Sequence, residues 1–286
     1  MRKKLTSILL ALAFPSLLYF FHTAIPTLAF AFTLARTRAQ SPGLDGEFLR
    51  NQAWLAVRTA TPWLIILSAI LTLLVVGLIF ILLGEKRQRA FTLRRFDLDT
   101  KCDRLPLLSL ITAALGLGLA LRAGLSLLPL PPSWIAEYSD RASSPLTGAG
   151  IMAQILCTVV VVPLAEEAVF RGLSFRFLRR GFSLPIAITL QAALFAVFHG
   201  STVQMIYAFP VGIVLGLVYA RCGTLAAPII LHMAVNAVSF PLPNAAWGQW
   251  LCLLTGIAVT AAGLRGVWAK SIMLRVSPNT SPNPPR

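Results

Sequence analysis

The chain has 286 residues, 57% of them apolar, and a mean hydropathy of +0.77. Charged residues make up only 12%, about half the usual share of roughly 25% in soluble proteins. These values exclude a soluble globular protein. The net charge of +15 does not indicate nucleic-acid binding, because the sequence contains no soluble domain that could carry a basic surface.

Long uncharged runs predict the membrane helices in chain order. A helix of about 20 apolar residues spans a bilayer. Only helices and closed β-barrels satisfy their backbone hydrogen bonds in lipid, and these runs are too long to be barrel strands. The run Ala142–Ala165 predicts the fourth span, and the later runs Gly181–Ala220 and Cys222–Leu264, of 40 and 43 residues, each hold two. We therefore predict an all-α polytopic membrane protein with about eight spans, at residues 6–33, 54–84, 106–129, 148–170, 183–200, 203–220, 224–241 and 247–265.

The distribution of basic residues predicts the topology. Cytoplasmic loops are enriched in Lys and Arg. Basic residues precede the first predicted span and follow spans two, four, six and eight, which places both termini in the cytoplasm; these residues are Arg2, Lys3, Lys4, Lys86, Arg87, Arg89, Arg94, Arg95, Lys101, Arg104, Arg171, Arg176, Arg179, Arg180, Arg221, Arg265, Lys270 and Arg275.

Three segments are interpreted from their composition. The loop Glu85–Arg104 mixes basic and acidic residues and predicts a solvated connector, and the proline-rich tail Ser277–Arg286 predicts disorder. Met1–Ala24 could be a cleaved signal peptide, although the apolar run continues to Ala35, which favours an uncleaved span.

Two adjacent carboxylates, Glu166 and Glu167, directly follow the uncharged run Ala142–Ala165. They differ by about 100° around a helix, so they cannot both face one small site. Arg171 lies four residues after Glu167, at a spacing that allows an ion pair. We interpret Glu167 and Arg171 as a structural pair and Glu166 as the free carboxylate. The alternative is a charge cluster that caps a span at the membrane interface.

Two further polar positions lie in the later apolar runs. His199 ends a predicted helix, and His232 and Asn236 share one helical face at i and i+4. Separately, these are typical of a helix-end histidine and of a polar contact between helices. Ionisable groups cost several kcal/mol each in hydrocarbon, roughly 2.5–3.5 on insertion scales. Their combination with Glu166 therefore indicates buried acid–base chemistry on water, and hence hydrolysis within the membrane.

The order E-E-x-x-x-R, F-x-x-x-H and H-x-x-x-N, read from Glu166, Phe195 and His232, resembles the CPBP family of intramembrane glutamic endopeptidases. That family includes the type II CAAX prenyl proteases and the bacterial abortive-infection and bacteriocin-immunity proteins. The resemblance covers about residues 151–240. It implies a polar catalytic chamber among the helices, with a membrane-associated protein or peptide as substrate and the lipid bilayer as surroundings.

The resemblance also implies roles for the motif residues. Glu166 would activate water as general base with the help of His199, and His232 and Asn236 would stabilise the oxyanion. Glu167, Arg171 and Phe195 would organise the site. No cofactor is expected; the alternative is a zinc-dependent enzyme with Glu166, His199 and His232 as ligands, a donor set that zinc accepts.

We predict three parts of the chain: N-terminal spans and loop at 1–145, a catalytic core at 146–242, and the last span with the tail at 243–286. The expected location is a bacterial inner membrane. Two other functions compete. A transporter would show paired repeats with broken helices, which the sequence lacks, whereas a non-catalytic immunity or scaffold protein with the same motifs is not excluded by sequence.

Overall fold

The computed structural model describes residues 2–82, 106–143, 150–238 and 242–276. In these ranges the chain forms nine helices and no strand, which confirms the all-α polytopic prediction. The predicted loop 85–104 and tail 277–286 lie outside the described residues. The helices are α1 Arg2–Gln40, α2 Gly46–Leu82, α3 Leu107–Leu127, α4 Pro132–Ser143, α5 Ile151–Gly181, α6 Leu184–Val197, α7 Thr202–Cys222, α8 Ala226–Ala237 and α9 Ala246–Val276.

Six of these helices are long and apolar enough to cross a membrane, namely α1, α2, α3, α5, α7 and α9. The predicted fifth and seventh spans correspond to two shorter apolar helices, α6 and α8. Helices α6 and α8 have only 14 and 12 residues, or about 21 and 18 Å of rise, against a hydrocarbon core of about 30 Å. Run length had included the residues of the turns that follow them.

Helix α4 lies between the predicted third and fourth spans. Pro132 occupies its first position, where a missing N–H costs nothing. Trp134 lies in its first turn. Tyr138 packs edge-to-face on Tyr207 of α7, and Asp140 pairs with Arg58 of α2. Helix α4 therefore connects two spans at one end of the bundle.

Local sequence features determine where α2 begins and where α7 ends. Asp45 precedes α2, and its Oδ2 accepts hydrogen bonds from the backbone N–H groups of Phe48 and Glu47 at 3.0 and 2.8 Å. These hydrogen bonds hold the pKa of the exposed Asp45 carboxyl below its ordinary value. Helix α7 ends at Gly223, whose φ of +70° is the left-handed conformation that favours glycine.

Helix α5 is irregular where it carries the acidic motif. It contains two π-helical segments, Leu156–Val161 and Ala168–Ser174, on either side of the α-helical turn Val162–Glu167. Such segments are frequent at functional sites because they reorient the side chains that follow. Arg171 lies within the second segment and is fully buried. Its inclusion among the cytoplasmic loop residues was therefore wrong; α5 continues for ten residues beyond it.

Helices α3 and α9 pack along most of their lengths through small residues. A Cβ added at Gly256 would lie 2.5 Å from the backbone nitrogen of Ala120 and 2.8 Å from the carbonyl oxygen of Gly116. Only glycine permits this approach, which is typical of helix pairs in membranes. On the other side of α3, a buried cluster joins α1, α5, α6, α7 and α8, and the acidic motif lies beside it.

Candidate active site

Glu167 is the centre of the buried polar network. Its side chain and that of Arg171 are both 0% exposed, and Nη1 of Arg171 lies 2.7 Å from Oε1 of Glu167. The predicted i,i+4 ion pair is therefore present, and it lies in the protein interior rather than at a membrane boundary. A buried pair of this kind needs further hydrogen bonds to offset desolvation.

Arg171 is held by groups from α6 and α7. Its Nη2 donates to the carbonyl of Gly212 at 3.2 Å, and the same carbonyl accepts from Nε2 of Gln191 at 2.8 Å. The guanidinium also lies over the ring of Phe195, 4.4 Å from its centroid. Gly212 allows this arrangement because a Cβ there would lie 2.9 Å from the Cα of Ala192. The orientation of Arg171 is thus fixed from three sides.

His232 of α8 lies between the two carboxylates. Its Nδ1 is 2.9 Å from Oε1 of Glu167, and its Nε2 is 3.7 Å from Oε2 of Glu166. An ionised carboxylate only accepts hydrogen bonds, so Nδ1 donates to Glu167. This leaves Nε2 facing Glu166, whose side chain is 17% exposed. Glu166 is thus the more accessible of the two carboxylates.

His199 and Asn236 lie at the edges of this cluster. Nδ1 of His199 is 2.6 Å from the carbonyl oxygen of Phe195, which only accepts, so Nδ1 carries the hydrogen and Nε2 is left for another partner. The Phe195 ring separates His199 from His232, with centroid distances of 4.6 and 5.7 Å. Nδ2 of the exposed Asn236 donates to the carbonyl of Thr158 at 2.9 Å, which connects α8 to α5.

The structure therefore brings Glu166, Glu167, Arg171, His232 and Phe195 together, with His199 and Asn236 beside them. Sequence reasoning missed the contributions of other residues. Gln191 is one of only two amide side chains, with Gln204, in the uncharged run of 40 residues, a signal that could have been noticed. Gly212, whose carbonyl accepts from both Arg171 and Gln191, belongs to no recognisable motif.

The alternative zinc site does not fit this arrangement. Among the described residues, no three His, Cys, Asp or Glu side chains lie close enough together to hold a metal ion. Nε2 of His232 lies 3.7 Å from Oε2 of Glu166, but His199 does not join these two residues in a common ligand set.

Comparison with known proteins identifies the segment that carries the site. Residues 148–238 match the sequence model of the family described as Type II CAAX prenyl endopeptidase Rce1-like. The matched segment contains α5, α6, α7 and α8, and with them all seven predicted site residues. No curated protein and no solved structure matches the chain.

Proposed function

Since residues 148–238 belong to the Rce1-like family of type II CAAX prenyl endopeptidases, we propose that this integral membrane protein is an intramembrane endopeptidase. It would hydrolyse peptide bonds in membrane-associated or lipidated proteins or peptides. One observation supports the proposal beyond the family match: Arg171 pairs with Glu167, Glu167 with His232, and His232 faces Glu166 at 3.7 Å, all inside an apolar helix bundle. An inert bundle has no need of four ionisable groups there.

In the proposed reaction Glu166 is the general base. Its carboxylate takes a proton from water, and the resulting hydroxide attacks the carbonyl carbon of the scissile peptide bond. The protonated Glu166 then gives this proton to the leaving amine, which restores the carboxylate. The greater exposure of Glu166 supports this role, because its carboxylate is the one that water can reach. Glu167 is reserved for Arg171 and His232.

Stabilisation of the oxyanion is proposed for His232 and Asn236. The Nε2–H of a doubly protonated His232 would donate to the developing negative charge, and Glu167 on the opposite ring nitrogen would hold the imidazole in place. The amide of Asn236 lies one turn further along α8 and would donate from the same face after leaving the carbonyl of Thr158. His199, across Phe195, would orient the attacking water through Nε2.

We further propose that the catalytic core comprises residues 146–242, with N-terminal helices at 1–145 and the last helix and tail at 243–286. The protein would lie in a bacterial inner membrane with both termini in the cytoplasm, as the basic residues favour. The partners required are the bilayer and a membrane-anchored protein or peptide substrate.

The deciding experiment compares Glu166→Gln with wild type on fluorogenic membrane-anchored peptides in detergent. The amide is isosteric but cannot take a proton from water, so we expect cleavage to fall on the order of 10²–10⁴-fold with an unchanged melting temperature. Glu47→Gln makes the same chemical change at an exposed position in the first turn of α2 and should cleave normally. Near-wild-type cleavage by Glu166→Gln would refute the glutamate mechanism.

A further inference from the structure

Helix α1 packs on the C-terminal part of α5, beyond the acidic motif. The rings of Phe14 and Phe177 are stacked, with their centroids 5.9 Å apart. A Cβ added at Gly181 would lie 2.9 Å from Oγ of Ser7, so the two helices approach closely there. Helix α5 lies within the segment 148–238 matched by the family, whereas α1 lies outside it. The matched segment is therefore supported by a helix that the family model does not cover.

A buried hydrogen bond joins these two helices. Oγ of Ser174 donates to the carbonyl oxygen of Ala11 at 2.7 Å, and both residues are 0% exposed. Pro15 lies inside α1, four residues after Ala11. In a regular α-helix the carbonyl of Ala11 would accept from the N–H of residue 15, which proline lacks. Pro15 thus frees the carbonyl that Ser174 bonds, so the contact between the helices has a cause in the sequence of α1.

Ser174 is the last residue of the second π-helical segment of α5. At its end the N–H of Phe175 donates to the carbonyl of Phe170, five residues back, which is the π-helical pattern. If this segment changed to α-helical hydrogen bonds, the residues after it would rotate by one position, or about 100°, relative to those before it. The face of α5 that packs on α1 and the face on which Arg171 meets Glu167 therefore depend on one register.

We propose that Ser174 is a positioning residue for the site: its bond to Ala11 holds the second π-helical segment in the register in which Arg171 reaches Glu167. Through Glu167, this register also fixes the imidazole of His232, whose Nδ1 lies 2.9 Å from the same carboxylate oxygen. This inference rests on the proposed function. It gives α1, a helix outside the matched segment, a part in building the site.

Loss and replacement of this bond separate positioning from stability. Ser174→Ala removes the donor to Ala11, so we expect a lower melting temperature and a kcat about 10²-fold lower, the effect of a misplaced reacting group, with little change in KM. Adding Pro15→Ala supplies an N–H to the same carbonyl within α1. This double variant should regain the melting temperature but not kcat, because α1 and α5 remain unlinked. Ser126→Ala is the matched control, since its hydroxyl donates to the carbonyl of Ala123 in its own helix at 2.8 Å, and it should leave kcat unchanged.

A second measurement does not require catalysis. The guanidinium N–H signals of Arg171 in a proton–nitrogen NMR spectrum can be assigned as those lost in Arg171→Lys. They should shift in Ser174→Ala and in the double variant but not in Ser126→Ala; if Ser174→Ala alone does not fold, the double variant serves for both measurements. If wild type cleaves no peptide, the proposed function fails while this shift still decides whether Ser174 positions Arg171. Unshifted signals, or a double variant that regains kcat together with the melting temperature, would overturn the inference on Ser174 alone.

Discussion

Replacement of Arg171 by alanine tests the buried network directly. The change leaves Glu167 at 0% exposure with His232 as its remaining partner, and it removes a donor to Gly212 and the cation over Phe195. Loss of one partner of a buried ion pair costs about 3–5 kcal/mol, largely because the other charge is left uncompensated. A loss of about 3 kcal/mol lowers the ratio of folded to unfolded protein about 150-fold, at 1.4 kcal/mol per factor of ten.

The measurement is the melting temperature and detergent-soluble yield of Arg171→Ala, compared with the double variant Glu167→Gln with Arg171→Gln. The double variant carries no buried charge at these positions, so it should recover part of the lost stability. Arg221→Ala is a suitable control. Arg221 is partly buried and donates to the carbonyl of Trp268 at 3.2 Å, so its removal leaves a neutral acceptor rather than a carboxylate.

Loss of Arg171 should also affect catalysis. Arg171 fixes Glu167, and Glu167 fixes the tautomer of His232, so Arg171→Ala should lose activity even in the fraction that remains folded. Wild-type melting of Arg171→Ala would show that the pair contributes nothing to stability, and would refute the interpretation of the network. If Arg171→Ala and Arg221→Ala lower the melting temperature equally, the loss comes from side-chain packing and not from the unpaired charge of Glu167.

Three other predictions follow from the site and the fold. Asn236→Ala should lower kcat about 10²–10³-fold with little change in KM, as expected for an oxyanion donor; a lower melting temperature at unchanged kcat would make Asn236 a contact between α8 and Thr158 instead. Cleavage should persist in strong chelator, and stoichiometric zinc that is lost in His232→Ala would contradict this. Gly256→Ala should lower the melting temperature by forcing α9 away from α3, whereas Gly77→Ala, with nothing within 4 Å, should not.

The positions of the helices could be predicted from sequence because uncharged runs report burial in lipid directly. The ion pair of Glu167 and Arg171 could also be predicted, because the i,i+4 rule needs only local geometry. Run length alone could not show where α6 and α8 stop, since the turns after them are as uncharged as the helices. The motifs indicated a family resemblance over about residues 151–240, and the family model matches residues 148–238.

The irregularity of α5 could not be predicted from the sequence. Its two π-helical segments depend on how neighbouring helices pack, and nothing in the composition of Leu156–Val161 or Ala168–Ser174 marks them. Gln191 was missed for a related reason. Its position in the sequence indicates no role, and only the packing of α6 on α7 places its amide against the carbonyl of Gly212.

The shortness of α6 has a consequence for the surrounding lipid. Its outward side chains, such as Ile186 and Val197, present an apolar wall only about 21 Å tall, so an unperturbed bilayer of about 30 Å exceeds it by about 9 Å. Such hydrophobic mismatch is relieved when the bilayer thins locally, at a cost of fractions of a kcal/mol per Å. Because His199 follows the end of α6, we expect such thinning to bring the aqueous boundary nearer to the residues around Glu166.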